Sequence, residues 1–162
     1  MTADEVRELY YIAPIGNLAS VLTHGILSHK LAARLPHGSI AKQEIQDIRA
    51  RKVVPGGLPL HDYANLYICA RNPMMYLRRG THRTLCVLRV STDVLYFDNV
   101  VVASGNASSQ YTRFAASPQG LVLVDRDLVF AEYWTDPDQI TYWRKQEGGQ
   151  MRRDPRAAFG GP

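Results

Sequence analysis

The chain has 162 residues, 46% hydrophobic and 21% charged, with a formal net charge of +4. That length supports one domain with a real core and is short for two. No run approaches the roughly 18–20 apolar residues of a membrane-spanning helix, and the acidic start MTADEVRELYYIAP is unlike a secretory leader, so a cytoplasmic protein without a membrane partner is expected. The pI near 9.2 permits an anionic partner, nucleic acid or a dinucleotide, without requiring one. Cys69 and Cys86 sit inside strand-like runs with no partner at metal-ligand spacing; they read as buried reduced thiols in preference to a disulfide, and no metal is expected.

In chain order, LYYIA (9–13) is strand-like. NLASVLTHGIL (17–27) spaces Leu18, Val21 and Leu22 as a helix does and then meets Gly25, a helix stop. SHKLAARLPHG (28–38) is irregular and basic. In SIAKQEIQDIRARKVV (39–54), Ser39 is placed to cap a helix carrying Ile40, Ile45 and Ile48. PGGLPLHD (55–62) is a turn-rich loop, and NPMMYLRR (72–79) a short helix. Strands are expected at 64–70, 83–90, 94–99, 121–125 and 140–143. Helices early and strands late make an α+β domain.

The chemistry concentrates in loops. His61 beside Asp62 reads either as an imidazole oriented by a carboxylate or as a loop-fixing turn, with Tyr63 next to it. Tyr67, Met74, Met75 and Tyr76 read as platforms for an extruded base or as core. Arg71, Arg78, Arg79, Arg83 and Arg113 outline a phosphate path or an ordinary solvated surface. On pattern alone, Arg49 in QDIRARK is one of three solvated basic residues. SGNASSQYTRF (104–114) adds a small polar loop against Arg113.

These segments together, YYIAPIGNLASVLTHGIL, SIAKQEIQDIRARKVVPGG and HDYANLYICARNPMMY with SGNASSQYTRF, closely resemble the DarT-type DNA ADP-ribosyltransferase toxins. The resemblance covers roughly residues 9–145 and implies a split, strongly twisted sheet whose cleft holds NAD as co-substrate. It implies transfer of ADP-ribose to thymidine bases in single-stranded DNA, and a macrodomain antitoxin of the DarG type as partner. The family's His-Ile-Thr positions fall on Tyr11, Ile12 and Ala13, so the histidine and threonine side chains are replaced, while backbone contacts to the nicotinamide amide depend only on strand geometry. Further NAD-contact positions fall on Ser20 and Ser28, and the family's catalytic arginine on Arg49. A guanidinium there clamps phosphate through parallel donors; it is a poor base at neutral pH. The resemblance places His61, Asp62 and Tyr63 as support for the NAD cleft. The DNA-facing candidates are Arg71, Met74, Arg78, Arg83 and Arg113, and the basic segment from His29 to Gly38 corresponds to a family segment that covers NAD and meets DNA, its glycine and proline suiting a mobile lid.

The family also has a glutamate in a final strand soon after a YWRK-like segment, which stabilises the oxocarbenium-like ribose. After Lys145 this chain reads QEGGQMRRDPRAAFGGP. With suitable synonymous codons, the frame shifted by one nucleotide encodes Ala-Lys-Cys-Ala-Glu-Ile-Leu-Val. The expectation is therefore a DarT-like domain at 1–145 lacking its last catalytic strand, and a frameshifted, flexible tail at 146–162. Glu147 is the rival carboxylate, and its QEGGQ surroundings favour a solvated turn. Such a chain is expected to be an inactive scaffold of the transferase; the alternative is a catalytically empty module that binds NAD or single-stranded DNA. A general RNA-binding domain has no supporting aromatic or Gly-x-x-Gly pattern.

Overall fold

A computed structural model describes residues 1–131. The architecture is α+β. Strand β1 (Leu9–Pro14) pairs antiparallel with β2 (Leu85–Val90), in register from Leu9 opposite Val90 to Pro14 opposite Leu85. A second antiparallel pair joins β3 (Val101–Ala103) to β4 (Phe114–Ala116), with Val101 opposite Ala116. The described residues thus carry two separate small sheets, as a split sheet requires.

Helix α1 (Leu18–His24) ends where expected: Gly25 adopts φ 80°, a conformation glycine reaches without a Cβ clash, and its N–H bonds the Val21 carbonyl. α2 (His29–Ala32) is capped by Ser28, whose hydroxyl accepts from the Leu31 N–H at 3.4 Å. α3 (Gln43–Ala50) is followed by a loop held by an isolated bridge between Val53 and Pro59. α4 (Pro73–Leu77) has proline at its first position behind a capping Asn72, and α5 (Arg126–Val129) is capped by Asp125.

Three apolar clusters hold these elements. Val6, Leu9, Leu95, Val102, Leu121, Val124 and Val129 join the first strand to the later turns. Ile12, Tyr67 and Met74 pack under the middle of β1. Val54, Leu60 and Ala107 close the third.

Several sequence expectations are corrected. Ser39 does not cap α3: its hydroxyl accepts from the Ala41 N–H at 3.3 Å, and the helix begins at Gln43. Its buried residue is Arg49, while Ile48 is 40% exposed. Ile48 therefore points outward, while Ile45, one turn before Arg49, is half-buried and Ile40 packs against the Ile12, Tyr67 and Met74 cluster. Residues 64–70 do not form a ladder strand; Tyr67 makes an isolated bridge to Tyr10, exchanging two backbone bonds of 2.8 Å. The runs at 94–99 and 121–125 form no strand: each begins within a 3-10 turn, Thr92–Tyr96 and Gln119–Leu123, and they bury Leu95, Leu121 and Val124. β3 and β4 are too short to show a period in sequence. Cys69 and Cys86 are unbridged and half-buried, and the Cys86 thiol donates to the Ala13 carbonyl at 3.4 Å. The strand expected at 140–143, the tail 146–162 and Glu147 lie outside the described residues.

Candidate nucleotide-binding cleft

A cleft of about 160 Å3 opens between β1, α1, α2, α3 and the loop that precedes α3. Tyr11, Ile12, Ala13 and Pro14 form one wall; Ser20, Val21, His29 and Ala32 face it; Arg49, Asn65, Tyr67 and Met74 line its inner part. Among the described lining residues, Arg49, His29 and His37 are basic and none is Asp or Glu. A cleft of this composition selects anions.

Arg49 is the focal side chain. It sits in the last turn of α3, is 1% exposed, and donates from Nη2 to the Asn65 Oδ1 at 2.7 Å. Burial lowers its pKa, with the Tyr67 hydroxyl opposing the shift, and it remains a cation because an arginine starts so high. Burial likewise drives the Tyr67 hydroxyl far above its ordinary range. Tyr67 spends that hydroxyl on the Met74 sulfur at 3.7 Å.

The β1 wall presents backbone as well as side chains. Tyr10 directs its N–H and C=O away from β2 to Tyr67, and strand alternation turns those of Ile12 toward the same edge, where the cleft begins. The outer rim is tied by a reciprocal amide clamp. Asn17 Nδ2 donates to the Gly38 carbonyl at 2.8 Å, and the Gly38 N–H donates to Asn17 Oδ1 at 2.9 Å. Arg78 adds a bond from its guanidinium to the Ile40 carbonyl. The segment read as a mobile lid is therefore fastened at its far end.

Behind α2, the His29 and His61 rings face each other with centroids 4.2 Å apart and a 39° tilt. His61 Nε2 lies 3.1 Å from Gln46 Oε1. Burial is the largest influence on each imidazole and lowers both pKa values; Arg49 adds to both, His37 to His29, and His29 to His61. Asp62 pairs with Lys30 at 2.7 Å, so its carboxylate does not orient His61 by a direct bond; Gln46 does.

The sequence model of the DarT family, described as "ssDNA thymidine ADP-ribosyltransferase, DarT", matches residues 10–149. The chain belongs to the DarT family. It is 29% identical over 154 residues to a DNA ADP-ribosyl transferase–DNA ADP-ribosyl glycohydrolase fusion protein of Thermosipho africanus, a match covering 90% of this chain and 37% of the fusion. Its fold resembles that of Thermus sp. 2.9 DarT in complex with ADP-ribosylated single-stranded DNA, with TM-score 0.72 and 29% identity over 85% of this chain and 71% of the other. It also resembles the NAD+ complex of the same DarT, with TM-score 0.65 and 26% identity over 82% of this chain and 69% of the other.

In this DarT-family chain, the cleft gathers Tyr11, Ile12, Ala13, Ser20, Arg49 and Met74 from the residues singled out in sequence. The solvated-helix reading of Arg49 is overturned by its burial. Ser28 is buried as the α2 cap and does not line the cleft. Tyr63 accepts from the Leu58 N–H at 3.1 Å and thereby holds the loop after α3. For Tyr67 and Met74 the core reading prevails over base stacking, since they are 7% and 4% exposed. Tyr76 is half exposed, with the Arg79 guanidinium 4.6 Å from its ring centroid. Arg71 is exposed and reaches the Ala131 carbonyl; Arg83 and Arg113 are exposed on separate elements. Sequence reasoning missed Asn17, Asn65 and Gln46, for which no motif exists, and the capping role of Asn72, for which the Asn-Pro step was a signal. Among the described residues no group of His, Cys, Asp and Glu could hold a metal ion, and no helix is long and apolar enough to cross a membrane.

Proposed function

We propose that the cleft binds NAD and that the chain acts as a DarT-type transferase scaffold, directing ADP-ribose to thymidine bases in single-stranded DNA. The observation that carries this reading is the buried Arg49 cation in a cleft whose described lining holds no carboxylate. Bidentate guanidinium contact holds a diphosphate in one pose, and the Ile12 backbone edge offers a donor and an acceptor to a planar amide such as nicotinamide. Ser20 supplies a hydroxyl on the opposite wall. Tyr76 with Arg79, and the exposed Arg71, Arg83 and Arg113, present aromatic and cationic surface for single-stranded DNA. By the likeness to the Thermosipho fusion, a DarG-type macrodomain is the proposed partner that removes the mark.

A second reading, carried by the sequence of residues 146–162, is a module that binds NAD or DNA without transfer. Incubating the chain with labelled NAD and a thymidine-containing oligonucleotide separates the two. Label on the DNA establishes transfer; nucleotide and oligonucleotide binding without label establishes the binding module. Failure to bind NAD or ADP-ribose refutes the first reading, and failure to bind the oligonucleotide as well refutes both. Sequencing the gene through codon 146 tests the frameshift reading of residues 146–162, which fails if the shifted frame does not encode Ala-Glu-Ile-Leu-Val.

A further inference from the structure

We propose that His29 is a proton-linked diphosphate contact of the cleft, held in position by His61. The imidazole is neutral in the open cleft and takes one proton from solvent when the anion arrives. This deepens the dinucleotide reading above and rests on it.

His29 stands on the cleft wall, in the first turn of α2. The His61 ring lies behind it at 4.2 Å, and that ring is pinned by Gln46 of α3. Lys30 of the same short helix is paired with Asp62, so the ion pair locks α2 onto the 3-10 turn Leu60–Asp62 beside the stacked rings. This is a fixed imidazole presented to an anion-selecting cleft.

The charges that face His29 come from each neighbouring element. Partial burial opposes its protonation most, and His37 of the rim loop and Arg49 of α3 add to that. The Asp62 carboxylate, on the turn behind, is shared with Lys30. In the open cleft the balance favours the neutral ring. A diphosphate entering near Arg49 reverses the sign of the local field, and two negative charges then favour the imidazolium. The proton comes from solvent, and the new N–H donates to a phosphate oxygen. Linkage requires that anion affinity rise as pH falls, by about tenfold for each unit by which the ligand raises the His29 titration. A neutral nucleoside gains nothing from the change.

Calorimetry tests this with inorganic diphosphate, ADP-ribose and adenosine as probes, each titrated into the full chain in two buffers of different ionisation enthalpy near about pH 7. The expected result is uptake of up to one proton with diphosphate and ADP-ribose and none with adenosine, lost in His29→Gln. NMR of the histidine Cε1–H resonances in the unaltered chain should show the His29 midpoint moving up on addition of diphosphate, which removes dependence on the folding of any variant. In His61→Gln the His29 midpoint should move in the ligand-free chain, a change that loss of stability alone does not produce. ADP-ribose binding without proton uptake, or an unmoved His29 midpoint, overturns the His29 proposal and leaves the dinucleotide reading standing. Proton-linked binding of diphosphate that is lost in His29→Gln, without ADP-ribose binding, retains the role of His29 and overturns the dinucleotide reading. Binding of neither probe overturns both.

Discussion

Replacing Asn65 separates the structural role of Arg49 from its electrostatic one. Asn65 accepts a 2.7 Å bond from the Arg49 guanidinium, in a site where Arg49 is 1% exposed. In Asn65→Ala that donor loses a partner inside the protein, and hydrogen bonds to charged groups contribute about 1.5–3 kcal/mol, so the midpoint of urea unfolding should fall accordingly. Asn65→Asp keeps an acceptor at the same place and adds a negative charge. Chain stability should then be retained or raised, because the new pair is close and hydrogen-bonded. Ligand affinity should move the other way. For a phosphate held near the guanidinium at about 7 Å from the new carboxylate, an effective dielectric of about 20 gives a repulsion of about 2 kcal/mol, or roughly thirtyfold in Kd. Paired urea unfolding and ADP-ribose calorimetry on both variants read the two quantities independently. An Asn65→Asp chain that is as stable as the parent and binds ADP-ribose equally well would refute the claim that the Arg49 charge selects the anion.

Asn72→Ala should cost about 2–3 kcal/mol in denaturant unfolding, since the buried amide caps α4 through the Met75 N–H at 3.1 Å and donates to the Cys69 and Ala70 carbonyls. Gly120→Ala should cost about 1–3 kcal/mol by overpacking, because a Cβ there meets the Ala115 carbonyl oxygen at 2.8 Å; an unchanged melting temperature would contradict this. Stability should also depend on pH through His29 and His61, whose pKa values in the fold are lowered below the ordinary histidine value. The unfolded chain then binds more protons in that window, so stability is complete above about pH 6.5 and is lost as pH falls toward the folded-state values. Urea midpoints at about pH 7.5 and about pH 5.5 should differ in that sense, and the difference should shrink in the His29→Gln/His61→Gln double variant. Asn17→Ala should release the rim, read as faster hydrogen exchange of the Gly38 amide, which now donates to Asn17 Oδ1 at 2.9 Å.

The strand at 9–13, the glycine-terminated helix that follows it, the short helix behind Asn72 and the strand ending at Val90 were legible in the residues, because each carries its signal within a few positions. Gly25 is the one residue at φ 80° for which the local pattern named both the stop and its cause. Family resemblance added Arg49 and its neighbours, which no periodicity distinguishes from a solvated QDIRARK face. What only the tertiary structure decided is the direction of that face. Nothing in the helix itself favours a buried arginine over Ile48; the burial is supported from outside the helix, by acceptors such as Asn65, distant in sequence, where α3 meets the core. The same holds for residues 64–70, 94–99 and 121–125, whose apolar content invites a strand but whose neighbours leave room for one bridge or a tight turn. Local propensities are properties of neighbouring dihedrals, whereas partners, burial and charge compensation belong to contacts between segments remote in the chain. Those contacts exist only once the chain has folded.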